Sequence, residues 1–310
     1  MTDFLTVSVL LATVASAIRL ATPFLLAALG ETLGQRSGVL NLGVEGVMLL
    51  GAYGAYYATL RTDSVLLGIV VSLVVGGVMG IAYGVVTLAL KAEQGISGIG
   101  IFIFGLGLSD LLFQKQVGTP TPIDGLGDVA VPLLGGLPLV GEVLFHQNIL
   151  VYTAFLLVPA LWFVMNRTPF GLNVRAVGET PEAADSLGVS VDRTRYITIL
   201  VGNAMAGLAG GALALELGIF QQNLTNGHGF IAIALVYFGA WRPVGVMAGA
   251  MVFGLVSATV LQWKTLGIVV GTTASIVGMF PAVLTILVLV LVSRRTGQPS
   301  ALTRPFQRGH

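Results

Sequence analysis

The stretch SVLLGIVVSLVVGGVMGIAYGVVTLAL (residues 64–90) contains no charged side chain from its first residue to its last. An α-helix needs about 20 consecutive apolar residues to cross the hydrocarbon core of a bilayer. The stretch therefore predicts a transmembrane helix. Similar apolar stretches recur along the chain, and they predict further spans at 38–60, 95–113, 148–166, 196–218, 244–262 and 270–293.

The composition agrees with a membrane protein. Hydrophobic residues make up 55% of the chain and charged residues 9%, and the mean hydropathy is +0.93. A soluble domain carries about 25% charged residues. Forty-two glycines suit close packing of membrane helices. The sequence therefore predicts an all-α polytopic membrane protein, a single transmembrane domain over 1–310 with about 8 to 10 transmembrane helices.

Two segments leave alternatives open. Residues 4–35 form either one span broken at Pro23 or two shorter helices. Residues 228–242 are short for a span and suggest a half-helix that turns at 241–243. The N-terminus has an acid and no base before its apolar run, which favours a retained membrane segment over a cleaved signal peptide.

Lysines and arginines predict the orientation, because cytoplasmic loops are enriched in them. The loop 167–195 and the tail 294–310 are basic and are expected in the cytoplasm. The connection 114–147 holds only Lys115 and is expected outside. Threading the spans between these anchors also places Arg36, Lys91 and Arg242 inside, and Arg61 and Lys264 outside.

The predicted orientations suggest inverted repeats. The spans of the first half (about 1–113) and those of the second half (about 196–293) run in opposite senses, and transporters often carry their pathway between such repeats. Alternating orientation occurs in any polytopic protein, so a chain without repeats remains the alternative.

The basic loop contains TPEAADSLGVSVDR (180–193), which has the pattern of a short capped helix. Thr180 suits the N-cap and Pro181 the first turn. Glu182 lies near the positive end of the helix dipole, and Gly188 suits the end of the helix, where a Cβ would crowd a tight turn. About two turns of helix are expected here.

EAADSLGVSVDRTRYI (182–197) resembles the cytoplasmic EAA motif of ABC transporter permeases. The match lies at Glu182, Ala183, Ala184 and Gly188, and the spacing to Ile197 is one residue shorter than the common pattern. The resemblance implies a coupling helix that docks into a groove on an ATPase subunit. An ordinary surface helix between two spans is the alternative.

ETLGQRSGVLNLGVEGVMLLGAY (31–53) is similar to the N-terminal signature of the permease class that serves branched-chain amino acids, simple sugars and nucleosides. QRSGVLNLGVEG (35–46) is most similar to the nucleoside and simple-sugar branch, and GFIAIALVYFGAWRPVGVMAGAMVFG (229–254) resembles that branch's second-half signature. The resemblance implies the permease subunit of an ATP-driven importer in the cell membrane, with a nucleoside as substrate and a simple sugar or a branched-chain amino acid as the alternatives.

The same resemblance implies the partners. ATP and Mg would bind a separate ATPase chain, and this chain would hold no cofactor. A second permease chain would complete the pore, and a paralogue is favoured over a second copy of this chain. An extracytoplasmic binding protein would deliver the substrate. The net charge of +1 gives no indication of a nucleic-acid partner.

Polar side chains within the apolar segments are candidates for a translocation pathway. Asn41 and Glu45 are four residues apart, which predicts one helix face and a separation of about 6 Å. The alternative is that Glu45 pairs with Arg19 or Arg36 and locks the fold. Asn203 suits the pathway or a hydrogen bond between helices. Phe230 and Tyr237 could stack on a substrate ring or belong to the core.

No catalytic or metal-binding pattern is found. The chain has no cysteine and no Walker motif, and its histidines at 146, 228 and 310 are scattered. The main rival to the importer is an ion-coupled secondary transporter, for which Glu45, Asp110 and Glu216 are the candidate membrane carboxylates.

Overall fold

The computed structural model describes residues 7–130, 132, 140–292 and 297–306. Part of the predicted external connection and of the basic tail, including Arg294, Arg295 and Arg308, lies outside the described residues, as does His310. The helices are α1 (Val7–Arg36), α2 (Val44–Thr62), α3 (Val65–Gly84), α4 (Gln94–Gln116), α5 (Val140–Leu144), α6 (Ile149–Arg167), α7 (Pro169–Glu179), α8 (Pro181–Ser186), α9 (Val191–Leu217), α10 (His228–Phe238), α11 (Pro243–Thr265), α12 (Thr272–Gly278) and α13 (Phe280–Val292). Two short strands, β1 (Asp128–Ala130) and β2 (His146–Asn148), pair antiparallel.

The all-α membrane architecture predicted from the sequence is confirmed. Within the described part of the chain, seven segments are long and apolar enough to cross a membrane: α1, α3 with its π-helical end (Val85–Ala89), α4, α6, α9, α11 and the α12–α13 pair. The helix α2 spans about 28 Å, but its tyrosines, Glu45 and Arg61 make it less apolar, and most of it is buried. Counting α2, the long helices reach the lower limit of the predicted range.

The open alternatives are resolved by the helix bounds. Both alternatives for the first segment are wrong, because residues 7–36 form one continuous helix that includes Pro23 without a break. Residues 228–238 form the expected half-helix, and the chain then turns at 239–242. The predicted span 270–293 divides at Met279, one residue before the Phe280–Pro281 step, where proline cannot continue the hydrogen-bond ladder.

The helices α1 and α9 pack antiparallel at the centre of the protein. Gly30 and Gly202 lie at their closest approach, where a Cβ on Gly30 would lie 2.6 Å from the Gly202 carbonyl oxygen. Ser37 and Thr198 share a hydrogen bond near one end, and Arg19 lies 3.8 Å from Glu216 at the other. Close contacts at small residues stabilise helix pairs in a membrane, where the hydrophobic effect that drives packing in water is absent.

The first long helix of each half packs against a helix of the other half. The helix α1 packs antiparallel on α11, where Gly254 abuts Ala17, and α9 packs antiparallel on α3, where Gly76 abuts Gly207. Each first helix is followed by a break and a second helix, α2 in one half and α10 in the other. This reciprocal arrangement is that of inverted repeats.

Basic side chains collect at one end of the protein, which we call the basic end. Arg36, Arg175 and Arg242 line one cavity there, and Lys91 and Arg195 line another. The β1–β2 ribbon lies at the opposite end and was not predicted. Arg19 holds this ribbon through Asp128 at 2.9 Å and Gln147 at 2.9 Å.

Candidate functional site

The break between α1 and α2 places Asn41 outside any helix. Gly38, with φ +89°, ends α1, and the chain runs through 39–43 before α2 begins. The Asn41 side-chain oxygen accepts a hydrogen bond from the Gly43 amide at 2.8 Å, a turn that asparagine often forms. The prediction that Asn41 and Glu45 share a helix face is therefore wrong, because the glycine turn delays the start of α2.

Glu31 organises the first half of a buried polar cluster. Its Oε1 accepts hydrogen bonds from the Asn41 amide at 3.1 Å and from Gln35 Nε2 at 3.0 Å. Gln35 Oε1 in turn accepts the Trp241 indole N–H at 2.8 Å. These bonds connect α1 to the break and to the α10–α11 turn. Glu31 was not proposed as a site residue in the sequence analysis. Its spacing of four residues from Gln35 was the available signal.

Asn41 and Asn203 join the break to α9. Asn41 Nδ2 donates to Asn203 Oδ1 at 2.9 Å, and Asn203 Nδ2 donates to the Ile199 carbonyl at 2.8 Å. Both side chains are buried. In this conformation Asn203 connects two elements of opposite halves. Its amide therefore has both of its groups occupied by protein atoms.

Glu45 lies where the N-termini of α2 and α10 meet. Its carboxylate accepts hydrogen bonds from Thr225 Oγ1 at 2.7 Å, the Gly227 amide at 2.6 Å and the Gly229 amide at 2.5 Å. The side chain is 1% exposed. Helix N-termini carry partial positive charge, so two of them stabilise one buried carboxylate. The predicted alternative, an ion pair with Arg19 or Arg36, is wrong, since these arginines bond elsewhere.

Glycine permits this close approach. Gly227 has φ +89°, and a Cβ on Gly229 would lie 2.5 Å from the Glu45 amide nitrogen. His228, between them, stacks on Phe24 with ring centroids 4.6 Å apart. We call Glu31, Asn41, Glu45 and Asn203 the central polar cluster. It ties together the breaks of both halves.

Phe230 and Tyr237 lie two turns apart on α10. Phe230 is 42% exposed and meets Phe102 of α4 edge-on at 5.3 Å. Tyr237 is half-buried against Trp241, with centroids 4.9 Å apart. Of the predicted pathway residues, Phe230 is the one that presents an open aromatic face. It is available to a solute or to a neighbouring chain.

The basic loop folds into two helices, of which α7 was not predicted. In α8, Pro181 and Ala184 face inward, and Ala184 packs with Val177 and Val191. Glu182, Ala183 and Gly188 face outward, and so does Leu187, which is 86% exposed. Thr180 occupies the N-cap position but caps through no side-chain bond. The two predicted turns shorten to six residues.

Gly188 ends α8 for a reason other than the predicted crowding. A Cβ there would meet nothing within 4 Å. Its φ is +85°, a conformation that glycine adopts without strain. The following Val189 amide donates back to the Ala184 carbonyl at 3.0 Å.

The segment 297–306 connects the basic loop to the break after α1, and sequence reasoning did not anticipate it. The Ala301 amide donates to the Gly178 carbonyl at 2.9 Å, and the Thr303 amide to the Gly38 carbonyl at 3.2 Å. Arg195 Nη1 donates to the Arg304 carbonyl at 3.1 Å. Phe306 packs beside Ala184. We call 297–306 the C-terminal strap.

Comparison with known proteins identifies the family. The family model described as branched-chain amino acid transport system, permease component, matches residues 13–291. A putative glucose ABC transporter permease protein, TsgC13 of Haloferax volcanii, is 36% identical over 94% of this chain and 96% of its own. The guanosine ABC transporter permease protein NupQ of Bacillus subtilis is 31% identical over 93% and 94% of the two chains. No solved structure gives a significant match.

Some organisms have two different permeases among these relatives. The nucleoside ABC transporter permease protein NupC of Lactococcus lactis is 30% identical over 93% of this chain, and NupB of the same organism is 23% identical over 75%. In Bacillus subtilis, NupP is 27% identical over 78% of this chain, beside NupQ. This multi-pass membrane protein therefore belongs to the family of ABC transporter permeases described as the branched-chain amino acid transport system permease component.

Proposed function

We propose that this chain is the transmembrane subunit of an ATP-driven importer whose substrates are nucleosides. The observation that carries the proposal is the similarity to NupQ and NupC over more than nine-tenths of the chain, because both are named as permeases for nucleosides. A simple sugar is the second candidate, since TsgC13 is named as a glucose permease. ATP and Mg would bind a separate ATPase chain.

The basic end would face the cytoplasm, by the positive-inside rule. The C-terminal strap lies at that end and would be cytoplasmic too. Because the chain has no cysteine, single-cysteine labelling tests this orientation directly. An impermeant maleimide added outside intact cells should label Thr119→Cys, near the opposite end, and spare Ser186→Cys on α8. Labelling of Ser186→Cys alone would reverse the assignment.

The helix α8 would dock on the ATPase. Its outward side combines Glu182 and Ala183 with Leu187, and an apolar side chain that is 86% exposed gains most by being covered. Leu187→Glu should abolish co-purification with the ATPase subunit, while Leu187→Met should retain it. Both variants should fold alike, because Leu187 contributes little to the core. Equal retention of the ATPase by the Leu187→Glu chain would refute the docking surface.

A second, different permease would complete the pathway. The matches to both NupQ and NupP, and to both NupC and NupB, support a paralogous partner over a second copy of this chain. The exposed aromatic face of Phe230 would then lie at or near the pathway between the two permeases.

The substrate is tested on the importer's binding protein. Guanosine, uridine, glucose, ribose and leucine should be titrated side by side by calorimetry, followed by ATP-driven uptake in liposomes containing all subunits. Tight binding and uptake of a nucleoside supports the proposal. Binding of glucose with none of a nucleoside selects the second candidate. Uptake by this chain alone under an ion gradient would overturn the importer assignment.

A further inference from the structure

A cavity of about 420 Å³ opens at the basic end between α1, α6, α7 and the start of α11. Three arginines line it: Arg36 from the end of α1, Arg175 from α7 and Arg242 before α11. Asn166 adds an amide, and Trp162 and Val244 lie at its apolar side. No acidic residue is among the described lining residues. The cavity therefore concentrates positive charge in a confined space.

The protein only partly balances this charge. Arg175 and Arg242 lie close enough to Arg36 to repel it, and Glu179 is the carboxylate that attracts it. Glu179 Oε2 already accepts hydrogen bonds from the Ser300 amide at 3.3 Å and hydroxyl at 3.0 Å. Arg36 uses its Nε on the Trp241 carbonyl at 3.1 Å. A guanidinium has five N–H donors, so the three arginines retain donors that can bind an anion.

The chemistry of the set favours phosphate. Arginine binds phosphate oxygens through two parallel hydrogen bonds, which lysine does not. The helix α11 starts at Pro243 on the cavity wall without a side-chain cap, so its positive end adds to the field of the arginines. A cavity of this volume holds a phosphate with the first atoms of a glycerol unit.

The surroundings favour a lipid as the source of that phosphate. Trp162 is 42% exposed and Val244 is 53% exposed, and both line the cavity. Beyond them α6 and α11 present further exposed apolar side chains, including Phe163 and Leu255. Tryptophan is enriched at the membrane interface, and basic pockets between transmembrane helices bind anionic headgroups. We propose that this cavity binds the headgroup of an anionic phospholipid in the leaflet at the basic end.

The test compares lipid retention by the full-length chain in detergent, using native mass spectrometry with added phosphatidylglycerol or phosphatidylcholine. The wild type should retain phosphatidylglycerol and little phosphatidylcholine. The Arg175→Gln/Arg242→Gln variant should bind phosphatidylglycerol about 30-fold more weakly, since each cation near a membrane surface contributes about fivefold. The matched control is Arg193→Gln, which removes an exposed cation of the same end outside the cavity.

Two further arms make the outcome decisive. Arg175→Lys/Arg242→Lys should retain intermediate binding, and Val244→Glu should abolish it with all arginines present. Glycerol 1-phosphate at millimolar concentration should fail to displace the lipid. If it binds as well as the lipid, a soluble phosphate is the ligand and the lipid source is wrong. Equal losses in the Arg193→Gln and double-glutamine variants, or no loss in either, would overturn the site.

Discussion

Glu45 shows how one carboxylate can fix the junction of two broken helices. It receives hydrogen bonds from a hydroxyl and two backbone amides that belong to the chain around the start of α10. Each hydrogen bond to a charged group contributes about 1.5–3 kcal/mol, and leaving a buried donor unpaired costs about 1–3 kcal/mol. The residue therefore controls whether α10 can begin where it does.

Replacing Glu45 by glutamine should lower the free energy of unfolding by about 2 kcal/mol or more. The amide keeps one acceptor oxygen, but its NH2 group would face N–H donors, and the charge at both helix N-termini is lost. Unfolding of the purified chain in mixed micelles, followed by circular dichroism, measures the change. Glu182→Gln, at an exposed position, is the control and should leave stability unchanged. Equal stability of both variants would contradict the capping role.

The bond between Asn41 and Asn203 should be measurable by a double-mutant cycle with leucine at each position. We expect a coupling free energy of about 0.5–1.5 kcal/mol, the range found for hydrogen bonds between membrane helices. The same unfolding assay applies. Additive effects of the two substitutions would show that the amides do not depend on each other.

At the scale of elements, α8 and its glycine turn form a small unit that packs on α7 and α9. Gly188 allows the chain to reverse so that Val189 and Val191 return to the apolar cluster beneath α8. Glycine is favoured at position 188 by its positive φ, since an added Cβ would contact no neighbouring atom. The backbone preference of a replacing residue therefore matters more than its size.

Gly188→Val should reduce substrate transported per ATP hydrolysed, while Gly188→Asn should stay near the wild-type ratio. A β-branched residue at φ +85° is strained by about 1–2 kcal/mol or more, whereas asparagine tolerates this region. Coupled uptake and ATPase assays on the reconstituted importer give the ratio. If the valine variant couples normally, α8 does not transmit the motion in the proposed way.

The C-terminal strap should contribute to stability through its buried alanine. The Ala301 amide donates to the Gly178 carbonyl, its own carbonyl oxygen lies against Gly38, and the residue is 3% exposed. Ala301→Leu should overpack this site and cost about 1–3 kcal/mol. Gln298→Leu, an exposed change in the same segment, is the control. Matching stabilities for the two variants, in the unfolding assay above, would mean that the strap is not held at Gly38.

At the scale of the whole molecule, the packing of α1 and α9 against helices of the other half makes the two halves interdependent. Each first helix supports the third helix of the other half, so neither half is a separate packing unit. The exposed apolar faces of α4 and α13 lie outside this core and face lipid or another subunit.

Co-expression of this chain with the second permease of its transporter should yield a complex with one copy of each. The measurement is native mass spectrometry after purification through a tag on this chain. ATP-driven uptake should require both permeases. Full uptake with this chain as the only permease would contradict the heterodimer and indicate that two copies of this chain form the pathway.

The sequence alone determined the membrane helices, because apolar length is a local property that each segment carries by itself. It also determined the half-helix at 228–238 and the chain reversal at Gly188, since short length and glycine are visible in the residues. The segregation of arginines to one end followed from counting charges in loops. The family motifs at 31–53, 182–197 and 229–254 were sufficient to indicate the permease class.

Only the tertiary structure decided what the polar residues contact. Glu31 and Glu45 look alike in the sequence, but Glu31 bonds to groups ten or fewer residues away, whereas Glu45 bonds to groups about 180 residues later. The start of α10 reaches Glu45 because α9 carries the chain back across α1 and α2 before the second break. Such a partner depends on the packing of whole helices, which no local pattern of residues contains.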